Sequence, residues 1–175
     1  MRADAQRNRE RILAAAGEVF AEGGPDASTE EVAHRAGVAV GTVFRHFPTK
    51  ADLLRALMKD LLSQVTAEAT TLAEEGDPAT ALFDFFRGLV RRTAANRTVV
   101  GMLAVSLDEP IASLTDVIAT LLTRAQQAGA VAAGVRTDEV MALLTSACQG
   151  ALQGGWDADL RDRTLEIMIR GLKPA

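Results

Sequence analysis

The chain has 175 residues, of which 48% are hydrophobic and 24% charged, with a formal net charge of −4. This balance belongs to a globular protein and excludes a disordered or collagen-like chain. A single cysteine, Cys148, excludes an intrachain disulfide framework and a multi-cysteine zinc or iron–sulfur site. No apolar run approaches the roughly 18 residues needed to span a bilayer. Residues 1–10 are charged with no apolar segment behind them, so no signal peptide is expected. The expectation is a cytoplasmic protein without a membrane partner.

An acidic chain is a poor first guess for a nucleic-acid binder, but placement matters more than the total. Residues 1–50 are electrically neutral overall, and the whole negative excess lies in residues 51–175. The basic residues Arg2, Arg7, Arg9 and Arg11 cluster at one end. They suit either an arm for the DNA minor groove or a solvated terminus.

The pattern is helical throughout, with no period-2 strand and few aromatics. Residues 7–22 place Ile12, Leu13, Ala16, Val19 and Phe20 on one face, and Gly23-Gly24-Pro25 stops the helix. Ser28-Thr29-Glu30-Glu31 is a capping box that opens a second helix. Val32, Ala33 and Ala36 form its small apolar face, and Gly37 ends it. A short helix then covers residues 40–47 and closes at Pro48. Thr49-Lys50-Ala51-Asp52 caps a long helix to about residue 75, where Gly76-Asp77-Pro78 breaks it.

Further helices are expected over 79–96, 97–107, 111–128, one capped by Thr137 and ending at Gly154-Gly155, and about 159–172. Asp108-Glu109-Pro110 is read as a break between two of them. The total is about nine, and the loop lengths suit antiparallel neighbours.

Residues 28–47 have the form of a helix-turn-helix: two short helices joined by a glycine turn. In such a pair the first helix braces the second, whose N-terminal residues approach base edges in the major groove. The exposed helix needs few apolar anchors. Val43 and Phe47, four apart, supply them, leaving Gly41, Thr42, Arg45 and His46 to face outward. Arg45 and His46 suit phosphate or base. Lys50 opens the next helix, where its cation adds to the N-terminal backbone amides in favouring a phosphate.

These residues resemble a known family. Arg11-Ile12-Leu13-Ala14-Ala15-Ala16, Phe20, Gly23, Ser28-Thr29-Glu30-Glu31-Val32-Ala33, Ala36-Gly37-Val38 and the run from Gly41-Thr42-Val43-Phe44-Arg45-His46-Phe47 to Pro48-Thr49-Lys50 look like the N-terminal domain of TetR-type transcriptional regulators. The resemblance covers about residues 8–55. It implies an all-α homodimer with a three-helix DNA-binding head, residues 1–50, and an antiparallel helical bundle for ligand binding and dimerisation, residues 51–175. It also implies a repressor released from double-stranded operator DNA by a small-molecule effector.

Carried over by position, Thr42, Phe44, His46 and Lys50 match family DNA contacts, with Val40 and Gly41 at the groove-facing start of the helix. Two departures stand out. Phe44 replaces a usual Tyr, so the hydroxyl that reaches a phosphate is missing and the resemblance leaves Phe to pack against the sugar. Ala39 stands where a Ser or Thr N-cap is common, at a cost of about 0.5–2 kcal/mol of local helix stability.

In the second domain Phe83, Phe86, Met102, Leu121, Met141, Leu144 and Trp156 suit either plain core or the wall of an effector pocket. No charged cluster declares a charged ligand, so an apolar or weakly polar effector is expected. The helices over 137–153 and 159–172 are the expected dimer contact. Ala147, Gly150, Ala151 and Gly154 allow close approach either there or within one chain. Cys148 reads as a small core residue and His34 as exposed. No HExxH, GxSxG or GxxxxGK[ST] motif occurs, so no catalysis, metal or cofactor is expected.

Overall fold

A computed structural model describes residues 2–96 and 108–174. Among these the chain is all-helical: α1 (Arg2–Gly23), α2 (Thr29–Ala36), α3 (Val40–His46), α4 (Lys50–Glu75), α5 (Ala81–Ala95), α6 (Asp108–Gln127), α7 (Thr137–Gln153) and α8 (Ala158–Leu172). A 3-10 turn, Gly24–Asp26, follows α1. The short helix expected over 97–107, and Met102 with it, lies outside the described residues. No helix of the described residues is long and apolar enough to cross a membrane.

The described residues form two compact units, one built from residues 2–62 and one from 63–95 with 108–174. The first unit runs past residue 50 because the start of α4 supplies part of its core: Leu53, Leu54, Leu57 and Met58 are all buried. They join Ile12, Leu13, Val19 and Phe20 of α1, Val32 and Ala33 of α2, and Val43 of α3. These are the apolar positions that the three- and four-residue spacing marks.

The caps explain where the short helices begin and end. Ser28 Oγ accepts from Glu31 N at 3.1 Å, so one orphan amide of α2 is satisfied. Gly37 ends α2 in the left-handed conformation, φ 63°, with its N–H on the Ala33 and His34 carbonyls. At α4, Asp52 N donates to Thr49 Oγ1 at 3.1 Å while Thr49 N donates to Asp52 Oδ2 at 3.1 Å. This is the reciprocal cap that the sequence suggests.

The second unit has its own core from the rest of α4 and from α5 to α8: Val65 and Ala69, Leu82, Phe85 and Phe86, Ile118 and Leu121, Val140 and Leu144, Leu165 and Ile169. Two arginines and a glutamine close its polar seams. Arg124 on α6 donates to the carbonyls of Ala73 and Gly76, where the C-terminal carbonyls of α4 lack helical partners. Arg92 on α5 pairs with Glu68 on α4. Gln126 donates to the carbonyls of Ala132 (3.2 Å), Ala133 (3.3 Å) and Val135 (2.8 Å), fixing the loop before α7.

Several helix starts differ from the sequence reading: α1 begins at Arg2 rather than residue 7, α5 at Ala81 rather than residue 79, and two others differ in how they begin. The segment Asp108-Glu109-Pro110 is the first turn of α6 rather than a break before it. Proline is tolerated there because first-turn amides have no intrahelical acceptor. The N-cap of α7 is Arg136, not Thr137: Arg136 is extended, and its N–H donates to Glu139 Oε2 at 2.9 Å. The acidic side chain three residues on does the capping, so a hydroxyl at the cap is not required.

Candidate nucleic-acid interface

The seven residues of α3 carry one buried side chain, Val43, and Phe47 at the C-cap is buried beside it. Val40, Gly41, Phe44 and Arg45 are exposed, and Thr42 and His46 are half-buried. The helix is thus held by two anchors four residues apart and presents the rest of its surface outward, as a groove-reading helix must. Its N-cap, Ala39, makes no side-chain capping bond.

The bracing of α3 comes from α1 and α2. Arg11 Nη2 donates to the carbonyls of Ala36 at 2.5 Å and Gly37 at 3.3 Å. This ties α1 to the C-terminus of α2, where the helix dipole favours a cation. Arg35 on α2 donates to both carboxylate oxygens of Glu22 on α1, at 3.1 and 2.8 Å, and to Glu18 at 3.4 Å. The Arg35 hydrogen bonds hold the Glu22 carboxyl below the usual carboxylate range. They also push the Arg35 guanidinium up. Arg9 lies over the Phe47 ring, 5.7 Å from its centroid.

Three of the four N-terminal arginines have separate partners. Arg11 is committed to α2 and Arg9 stacks on Phe47, while Arg7 pairs with Asp4 at 2.5 Å on α1 itself. Residues from Arg2 onward are helical, so the described backbone is not an extended arm.

Lys50 opens α4, with its ammonium 2.7 Å from the Ala27 carbonyl and 5.3 Å over the Phe20 ring. Sequence reasoning placed the cation beside helix amides. It missed the Ala27 contact, which spans 23 residues of chain and leaves no periodic trace.

In the second unit the residues singled out as pocket candidates divide. Phe83, Phe86, Leu121 and Leu144 are all buried core residues, and Met141 is a half-buried neighbour of them. Phe83 lines a groove of about 510 Å³ with Thr80, Asp84, Arg87, Ile169 and Lys173. Lys173 lies 5.9 Å over the Phe83 ring, and Arg87 reaches Asp84 at 3.4 Å and Glu166 at 3.3 Å. Thr80, Asp84 and Arg87 share a helical stripe with Phe83 at spacings of three, four and seven, a signal present in the sequence. Lys173 and Ile169 arrive only through the tertiary fold. Trp156 is half-buried and packs against Gly150 and Gly154 of its own chain: a Cβ built at Gly150 would lie 2.3 Å from Trp156 Cζ2. Ala147 and Ala151 are buried in the core. The small-residue stripe of α7 is therefore used within the chain.

Among the described residues no group of His, Cys, Asp and Glu is arranged to hold a metal ion. Cys148 is raised above the ordinary thiol range by burial, and Thr93 Oγ1 lies 3.6 Å from its sulfur.

Comparison with known proteins agrees with this geometry. Residues 12–57 match the family described as bacterial regulatory proteins, tetR family. Residues 77–174 match the C-terminal domain described as transcriptional regulator SbtR-like. A TetR transcription regulatory protein from Mycobacterium vanbaalenii is 37% identical, with a TM-score of 0.80 and 99% of both chains covered. The regulator TtgW of Pseudomonas putida is 46% identical over 57 residues, 32% of this chain and 42% of that protein. The repressor KstR of Mycobacterium tuberculosis is 36% identical over 91 residues, 51% of this chain and 41% of that protein. The chain thus spans about two fifths of the length of these two curated relatives. The C-terminal match covers more than half of the sequence and the relative from Mycobacterium vanbaalenii covers nearly all of it, so the chain belongs to the TetR family of bacterial transcriptional regulators.

Proposed function

We propose that this protein is a dimeric, cytoplasmic DNA-binding repressor that a small-molecule effector releases from its operator. The observation that carries the reading is the exposure of α3: a helix anchored mainly through Val43 and Phe47 leaves Val40, Gly41, Phe44 and Arg45 exposed for a major groove. Val40, Gly41, Thr42 and Phe44 form the base-facing part of the interface, and Arg45, His46 and Lys50 its phosphate-facing part. In a dimer the two heads engage half-sites about 34–36 Å apart, or a multiple of that.

The effector is apolar or weakly polar. Support is the apolar floor that Phe83 and Ile169 give the groove, whose rim of Thr80, Asp84, Arg87 and Lys173 suits a polar end on such an effector. Phe83, on the wall of the open groove, and the neighbouring core residues Phe86, Leu121, Met141 and Leu144 are the first positions to vary when mapping it. A coupling of ~1–3 kcal/mol between effector and DNA changes occupancy about 5–150-fold. The dimer contact is formed by α7 and α8. Support comes from Leu160 and Ile167 on α8, 50% and 71% exposed and seven residues apart on one face.

A gel shift with the intergenic duplex beside the gene tests the reading. The wild type shifts it, and Arg45→Ala weakens the shift. Failure to retain any fragment in a randomised-duplex selection favours the alternative, a helical binding protein with a vestigial head. The uncapped Ala39 and the hydroxyl-free Phe44 are the features that would fit that alternative.

A further inference from the structure

We propose that Val40 and Phe44 read thymine 5-methyl groups in the operator, so that sequence preference at the heart of each half-site rests on apolar contact. This deepens the DNA-binding reading of α3 and rests on it. Among the described residues four large apolar side chains are exposed, and two of the four lie on this seven-residue helix: Val40 at 36% and Phe44 at 42%. They are four residues apart, so they stand on one face. Val43 and Phe47, three residues on from Val40 and Phe44, lie on the adjoining face and are taken up by the core, so the exposed pair stands at the edge of the anchored face.

The first turn of α3 lacks the side chains that read bases by paired hydrogen bonds. Guanine is read by Arg or Lys and adenine by Asn or Gln. The first four residues here are Val40, Gly41, Thr42 and Val43. The basic side chains of the helix, Arg45 and His46, lie in its last turn, away from the end that enters the groove. Gly41 adds no side chain between the two apolar residues and the groove, and a Cβ built on it would meet nothing within 4 Å.

An exposed apolar side chain needs an apolar partner to gain from burial. In the major groove each base pair presents hydrogen-bonding groups, and the one apolar group is the methyl of thymine. The rise from Val40 to Phe44 is about 6 Å along the helix, close to two base steps of 3.4 Å. A pair of methyl-sensitive thymines within about two base pairs of each other in each half-site is therefore expected.

The experiment uses the full chain and a duplex recovered from a randomised-duplex selection. Each thymine is replaced in turn by deoxyuridine, which removes the methyl and keeps the hydrogen-bonding edge. The expected result is at least one position per half-site where Kd rises about four-fold, the burial of one methyl's worth of surface. That penalty should vanish in Val40→Ala or Phe44→Ala, whose helical circular dichroism is checked against the wild type. Tight binding that is indifferent to every deoxyuridine overturns the inference and leaves the DNA reading standing. A penalty that persists unchanged in both variants also overturns it. Binding to no duplex overturns both.

Discussion

The ammonium of Lys50, the first residue of α4, donates to the carbonyl of Ala27, the residue before the N-cap of α2, at 2.7 Å. One cation thus closes the loop between α1 and α2 onto the start of α4 while resting on the Phe20 ring. The same side chain has a bracing duty and a proposed phosphate duty. Lys50→Ala should lower the stability of the head by about 1–2 kcal/mol, read from the thermal unfolding midpoint. It should also reduce the slope of log K against log salt by about 0.9, one phosphate's worth. An unchanged slope with lowered stability would leave Lys50 as a brace only.

Arg11→Ala removes the donor to Ala36 and Gly37 and should destabilise the head by about 1 kcal/mol. Gly37→Ala acts at the same joint through the backbone. Its φ of 63° costs an L-residue roughly 1–2 kcal/mol, and the new Cβ would lie 2.7 Å from Arg11 Nη2. The two changes share a contact, so their effects should not add. Chemical denaturation of the two single variants and the double variant measures this.

Gly150→Ala should be destabilising although alanine is the better helix former. The gain in helix propensity is about 1 kcal/mol, but the added methyl falls on the Trp156 indole at 2.3 Å. Displacing a packed ring costs typically 1–3 kcal/mol. The chain has one tryptophan, so a red-shifted fluorescence maximum in the folded variant reports the displacement directly.

Acid should loosen the joint between α1 and α2. Hydrogen bonds from Arg35 hold the folded-state pKa of Glu22 below its ordinary value. The stabilisation is therefore fully present above about pH 4.3, the ordinary glutamate value, and is lost as pH falls through the lower folded-state value. Asp52 follows the same rule at the start of α4, through Thr49 and then Arg55. Glu22→Gln should show a lower unfolding midpoint than wild type at pH 6, and the difference should shrink as both are taken below pH 4. A difference that grows on acidification would reverse the assignment.

The head was legible because its signals are local. Ser28, Gly37, Thr49 and Asp52 act within a few residues of themselves, and Val43 and Phe47 mark the inward face by spacing alone. What the sequence concealed depends on distant partners: Arg11 with Ala36, Lys50 with Ala27, and Trp156 over Gly150. The pocket candidates show the same limit. Phe83 and Phe86 have equal claims by composition. Only the fold shows that both are buried in the core and that Phe83 alone of the two meets Lys173 at a groove.

The central claim is that α3 and its neighbours grip duplex DNA by neutralising phosphates around an inserted helix. Fluorescence anisotropy with a selected duplex at 50 and 500 mM NaCl tests it most directly. The account predicts affinity that falls by orders of magnitude across that range, with a shallower fall for Arg45→Ala. Equal affinity at both salt concentrations would contradict it.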